Sequence, residues 1–232
     1  MIIFPAIDIR NGKCVRLTQG KFDAEDIYSD NPVEIAVQWQ EQGAKYLHVV
    51  DLDGALHGMS MNTETIKKIV QSVEIPVQVG GGIRKLEDIK RLVELGVSRI
   101  ILGTSAVNKE GFLVEALKAY KEKVVVSIDT RNGYIAVEGW TQVSKLNYID
   151  FTKKLEKMGV KTLIYTDIAK DGMLAGPNFE AIKYLKENVK IDLIASGGIS
   201  TKEHVHQLKA LEIYGAIIGK ALYTEDIKLK EL

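Results

Sequence analysis

The sequence predicts an α/β fold: a single (β/α)8 barrel over residues 1–232, built from two repeated half-barrels. Three observations carry that expectation. Eight short runs rich in Val and Ile alternate with longer amphipathic segments from end to end. Four motifs of the first half recur in the same order in the second. No linker or low-complexity stretch interrupts the alternation, so no second domain is expected.

The apolar runs cover residues 2–9, 46–51, 75–80, 99–103, 124–129, 162–167, 192–196 and 214–219. They are too short for helices, and near-continuous apolarity suits strands covered on both faces. Helical spacing fills the gaps, as in Ile66, Ile69, Val70 and Val73, or Leu86, Ile89, Leu92 and Val93. Gly43, Gly96 and Gly159 stand just past helical patterns, where a left-handed C-cap is expected. Asn31-Pro32 and Gly176-Pro177-Asn178 read as helix starts, and Ser200-Thr201-Lys202-Glu203 fits a capping box. Strand–helix alternation with short connections implies a parallel sheet, and eight units in about 200–250 residues favour a closed barrel over an open doubly wound sheet.

The repeat strengthens the barrel reading. Ile7-Asp8-Ile9-Arg10-Asn11-Gly12 returns as Ile128-Asp129-Thr130-Arg131-Asn132-Gly133, 121 residues on. Gly81-Gly82-Ile83 returns as Gly197-Gly198-Ile199, and Ile101-Leu102-Gly103 as Ile217-Ile218-Gly219, both 116 residues on. Gly43 with Lys45, Leu47 and Asp51 returns at the same spacing as Gly159 with Lys161, Leu163 and Asp167. Two copies of half a chain indicate a duplicated half-barrel rather than a solenoid.

Composition narrows the function classes. Lys plus Arg (31) cancels Asp plus Glu (31), so no global field favours nucleic acid or an anionic membrane. An anionic ligand must then be held by local groups. The single cysteine, Cys14, can form no internal disulfide, which suits a reducing compartment. The N-terminus lacks a signal-peptide pattern and no apolar run is long enough to span a bilayer, so a cytoplasmic location is expected.

Glycine after a strand admits close backbone approach, and amides at a following helix start can hold a phosphate. The loops after the seventh and eighth runs carry Gly197-Gly198 and Gly219-Lys220; their copies after the third and fourth carry Gly81-Gly82 and Gly103-Thr104. Strands four apart in an eight-strand ring lie on opposite sides, so two phosphate cradles face each other and a bisphosphorylated small molecule is the expected ligand. The competing reading is that these glycines only relieve crowding. Asp8 and Asp129 close the first and fifth runs, another opposed pair. One carboxylate on each side of a small substrate suits proton removal by one and donation by the other; each could instead cap its own Arg-Asn-Gly turn. Thr166 closes the sixth run, placed either to orient a substrate or only to pack. The four histidines show no metal-binding pattern and read as surface or packing residues, and no dinucleotide or Walker motif occurs. Cys14 is expected in a loop, as filler.

Several stretches carry a family resemblance. They include Pro5-Ala6-Ile7-Asp8, 48–55 (His-Val-Val-Asp-Leu-Asp-Gly-Ala), 80–84 (Gly-Gly-Gly-Ile-Arg), Val137-Glu138-Gly139-Trp140, 165–172 and 195–199. Over essentially its whole length the chain resembles the phosphoribosylformimino-5-aminoimidazole carboxamide ribotide isomerases of histidine biosynthesis. The related cyclase subunits of imidazole glycerol phosphate synthase share the repeat, but the Val-Glu-Gly-Trp stretch matches the isomerases better. The resemblance implies an Amadori rearrangement of an aminoaldose to an aminoketose, with Asp8 as general base and Asp129 as general acid. It implies that Thr166 and Asp171 contact the substrate, that Trp140 covers its aminoimidazole or ribose, and that Arg16 and Arg84 meet polar or phosphate groups. It implies no metal or other cofactor. Residues 56–61 depart from the family pattern, which leaves the contacts of that loop open. A cyclase subunit, a dual-substrate isomerase that also takes phosphoribosyl anthranilate, and a non-catalytic phosphosugar-binding barrel are the other readings. A monomer is expected.

Overall fold

The apolar runs become strands because β-branched side chains pack well on a pleated surface buried on both faces. The computed structural model describes residues 1–18 and 20–232. Its strands are β1 (Ile2–Arg10), β2 (Lys13–Thr18), β3 (Lys21–Ser29), β4 (Leu47–Asp51), β5 (Val77–Gly80) and β6 (Arg99–Leu102). They continue with β7 (Val124–Arg131), β8 (Tyr134–Val137), β9 (Gln142–Asn147), β10 (Thr162–Asp167), β11 (Asp192–Ser196) and β12 (Gly215–Ile218). The helices are α1 (Pro32–Glu41), α2 (Leu52–His57), α3 (Thr63–Ser72), α4 (Leu86–Glu94) and α5 (Thr104–Asn108). Beyond them lie α6 (Glu110–Tyr120), α7 (Tyr148–Lys157), α8 (Phe179–Asn188), α9 (Lys202–Ala210) and α10 (Lys220–Tyr223).

Eight strands close a parallel ring in the order β1-β4-β5-β6-β7-β10-β11-β12, with β12 returning to β1 and β10 sealing against β7. An open sheet is thereby ruled out. Between ring and helices lies the main apolar layer, with Ile7, Leu47, Ile66, Ile89, Ile128 and Leu163 fully buried. Inside the ring a smaller cluster joins Phe4, Ala6, Tyr46, Ile101, Val125, Ile164, Ile194 and Ile217. The floor of the barrel is closed by Arg99, whose guanidinium sits 5.2 Å from the ring centres of both Tyr46 and Tyr214 and donates to the Tyr214 hydroxyl at 2.7 Å. A desolvated cation between two aromatic faces is well held, so this end is a plug.

Two of the strand–helix connections are built as hairpins. After β1 and β7 the chain folds back as antiparallel hairpins, β2–β3 and β8–β9, before reaching its helix. Each first turn is Asn-Gly with both residues at positive φ (Asn11 49°, Gly12 73°; Asn132 53°, Gly133 81°), the geometry a two-residue hairpin demands. Cys14 therefore lies in a strand, not a loop; it is buried, with Sγ 3.0 Å from the Tyr223 hydroxyl. The duplication extends to strand register. Asp8 pairs with Val15 and Arg10 with Lys13, while Asp129 pairs with Ala136 and Arg131 with Tyr134.

Gly43, Gly96 and Gly159 follow α1, α4 and α7 at φ of 97°, 94° and 93°, as the C-cap reading requires. Asn31 and Asn178 are N-caps, with Pro32 opening α1 and the Asn178 side chain accepting from the Ala181 N–H. The capping box over 200–203 does not form. The cap is Thr201, one residue later, which accepts from the His204 N–H, while the Ser200 N–H donates to His204 Nδ1.

Candidate active site

β1 pairs with β12 only as far as Pro5 and from Asp8 onward with β2; β7 pairs with β6 only to Val126 and from Asp129 onward with β8. Each aspartate thus stands where a barrel neighbour ends and a hairpin begins. The two strands are four places apart in the ring of eight. Both carboxylates line one cavity of about 260 Å³ at the carboxyl ends of the ring strands. That end of a (β/α)8 barrel is where ligands are processed.

Asp8 is buried and accepts a charge-assisted bond from Arg16 at 2.7 Å. Burial pushes its pKa up to about 6, Arg16 pulls the other way, and the nearby Asp171 adds to the rise. A carboxylate near neutrality can both take and release a proton. Asp129 is also raised, chiefly by burial; the Trp140 indole N–H and the Thr166 hydroxyl oppose this as donors to its carboxylate. Asp171 is raised by burial and lowered by Arg16. In the first Arg-Asn-Gly turn the Asn11 N–H donates to Asp53 at 2.7 Å rather than to Asp8.

The cavity brings together Asp8, Arg16, Gly81, Gly82, Arg84, Gly103, Thr104, Asp129, Trp140, Thr166 and Asp171. Gly197, Gly198, Gly219 and Lys220 are not part of its wall, although Ser196 and Ile217 just before them are. The Arg16 guanidinium lies directly over Gly219, where any β-carbon would collide with it. Lys220 Nζ stands 3.6 Å from Asp26 of β3. The double glycines also have a packing reason. A β-carbon on Gly81 would strike the Asp51 carbonyl, and one on Gly82 the Gly54 carbonyl; in the second half Gly198 meets the Gly176 carbonyl in the same way. Close approach of the preceding loop thus accounts for those glycines without a ligand. Gly103 and Gly219 are in addition the N-caps of α5 and α10.

A family described as histidine biosynthesis protein matches residues 2–228. The chain belongs to this family. One relative, from Oceanobacillus iheyensis, is 56% identical over 232 residues, all of this chain and 97% of its own length. Relatives from Clostridium novyi and Alkaliphilus metalliredigens are each 52% identical, covering all of this chain and 97% and 98% of theirs. All three carry the name 1-(5-phosphoribosyl)-5-((5-phosphoribosylamino)methylideneamino) imidazole-4-carboxamide isomerase.

Within this family's fold the cavity has wall residues that motif reading passed over. His48, Ser127 and Glu138 all line it. Alternation along strands was the available signal: Ser127 lies two residues before Asp129, and His48 two before Val50, on the same inward face. Among the described residues no group of three or more His, Cys, Asp or Glu side chains is placed to hold a metal ion, and no helix is long and apolar enough to cross a membrane.

Proposed function

We propose that the chain isomerises 1-(5-phosphoribosyl)-5-((5-phosphoribosylamino)methylideneamino)imidazole-4-carboxamide, an aminoaldose with two phosphates, to its aminoketose in histidine biosynthesis, as its full-length relatives' name indicates. The observation that carries the chemistry is the pair Asp8 and Asp129, on opposite ring strands and facing one cavity. Asp129 protonates the furanose ring oxygen; the C1–O bond breaks and an iminium forms at C1. Asp8 takes the proton from C2, the C–H pair becomes the C1=C2 bond, and the iminium π pair returns to nitrogen. The enolamine then receives a proton at C1 from Asp8 and gives its O2 proton to Asp129, which restores both carboxyl groups. Thr166 holds Asp129 in place through its hydroxyl.

Arg16, Arg84 and Asp171 position the substrate from the rim, and Trp140 covers its ring. The turns at Gly81-Gly82 and Gly103-Thr104 seat one phosphate, and those at Gly197-Gly198 and Gly219-Lys220 the other. Acid–base help of this kind is worth about 10²–10⁴-fold, so fixing both ends of the substrate supplies much of the remaining acceleration. The enzyme works as a cytoplasmic monomer, a single catalytic domain with no nucleic-acid or membrane partner, and the reaction calls for no cofactor. Incubating the purified chain with the aminoaldose should give the aminoketose. Turnover confined to phosphoribosyl anthranilate or to the cyclase substrate would contradict the proposal.

A further inference from the structure

Tyr46, His48 and Val50 alternate onto the inner face of the barrel, the first in its apolar cluster and the other two in the cavity wall. At the matching places of the second half-barrel, 116 residues on, stand Thr162, Ile164 and Thr166. The fold therefore accepts an isoleucine where His48 sits, and a buried imidazole there has a desolvation cost that only a specific bond offsets. Gln78 supplies that bond. It is the register partner of His48 on β5, is wholly buried, and places its carboxamide nitrogen 2.9 Å from His48 Nδ1. With the carboxamide oriented this way its nitrogen donates and Nδ1 accepts, while the Gln78 Oε1 is buried without a partner. The proton of the neutral ring must then be on Nε2, the edge left for the cavity. The register Ala6↔His48 and Asp8↔Val50 puts His48 one inward layer, about 6–7 Å along the strands, below Asp8.

We propose that His48 donates its Nε2–H to the substrate's C2 oxygen, the atom that changes from hydroxyl to carbonyl in the rearrangement. This rests on the isomerase reading given above. Burial, reinforced by Arg16, holds the imidazole pKa down at about 3, so the ring stays neutral while both moving protons remain with the two aspartates. A neutral donor fixed before the reaction stabilises negative charge developing on that oxygen without reorganising. Gln78 is the positioning residue, since it selects the tautomer.

Two readouts test this. Replacing the donor by a ring of similar shape, His48→Phe, should lower kcat by about 10²–10³-fold with KM held within about threefold, and His48→Gln should recover at least about tenfold of the loss. Nitrogen-15 NMR of the native protein should find the His48 proton on Nε2, with that resonance moving when the aminoketose is added. A His48→Phe enzyme within about threefold of native kcat, or a proton found on Nδ1, would overturn the proposal. The NMR result stands even if the variants fail to fold. Native chain that does not turn over the aminoaldose at all would instead remove the parent reading.

Discussion

At the scale of single residues, the site turns on how burial and Arg16 divide control of Asp8. A general base works ionised, and burial has moved its pKa up to about 6. kcat/KM should therefore fall as pH drops through about 6, rather than near the ordinary aspartate value. Arg16 opposes the rise, so Arg16→Met should carry that acid limb to higher pH, whatever it also does to KM. A limb that stays put or moves down in the variant's pH–rate profile would contradict the assignment. The aspartates were legible from sequence because a charge that closes an apolar strand needs a reason. Arg16 was named only through the family resemblance, since nothing local says that a residue of the β2 strand folds back onto Asp8 and Gly219. His48 was read as a surface or packing residue because it matches no metal-binding pattern, although its alternation with Val50 marks the inward face.

Elements tell the same story more sharply. All eight ring strands were legible, since covered strands must be apolar throughout. The four hairpin strands were not: β3 (Lys21–Ser29) mixes acidic and apolar residues, and β9 (Gln142–Asn147) is mostly polar, as strands standing above the barrel rim can be. The Asn-Gly pairs in the repeat were the readable sign of them. What fixes the first hairpin is a buried clamp after β4. The Asp51 carboxylate accepts from the N–H groups of Gly54, Met61 and Asn62 and from the side chains of Ser60 and Asn62. The Asn62 amide also donates to Asp53, and its oxygen accepts from the Gly12 N–H of the β1–β2 turn. Asn62→Ala leaves a fully buried carboxylate short of a donor, so urea unfolding should show a loss of about 2–3 kcal/mol. A loss below about 0.5 kcal/mol, the range of ordinary surface changes, would mean that the clamp does not hold the turn.

The whole molecule is two half-barrels joined edge to edge in one ring. β6 of the first half pairs with β7 of the second, and β12 returns to β1, so each half leaves two strand edges open without the other. One apolar layer under the helices takes in residues from Ile7 to Leu229, drawn from both halves. Circular dichroism and tryptophan fluorescence should accordingly report one coincident unfolding transition for the chain; two separated midpoints would show that the halves behave as domains. The duplication also explains the limits of symmetry as a guide. It placed Asp8 opposite Asp129 and Asp51 opposite Asp167, yet the cavity reaches the turns of the first half and stops short of Gly197, Gly198 and Gly219, where Arg16 intervenes.

That opposition of two carboxylates is the claim on which the chemistry depends. It is tested most directly by comparing Asp8→Asn and Asp129→Asn with the native protein, measuring single-turnover rates on the aminoaldose and calorimetric binding of the aminoketose. Each variant should lose about 10²–10⁴-fold in rate while binding the product within about tenfold of native. Near-native turnover in either variant would contradict the account.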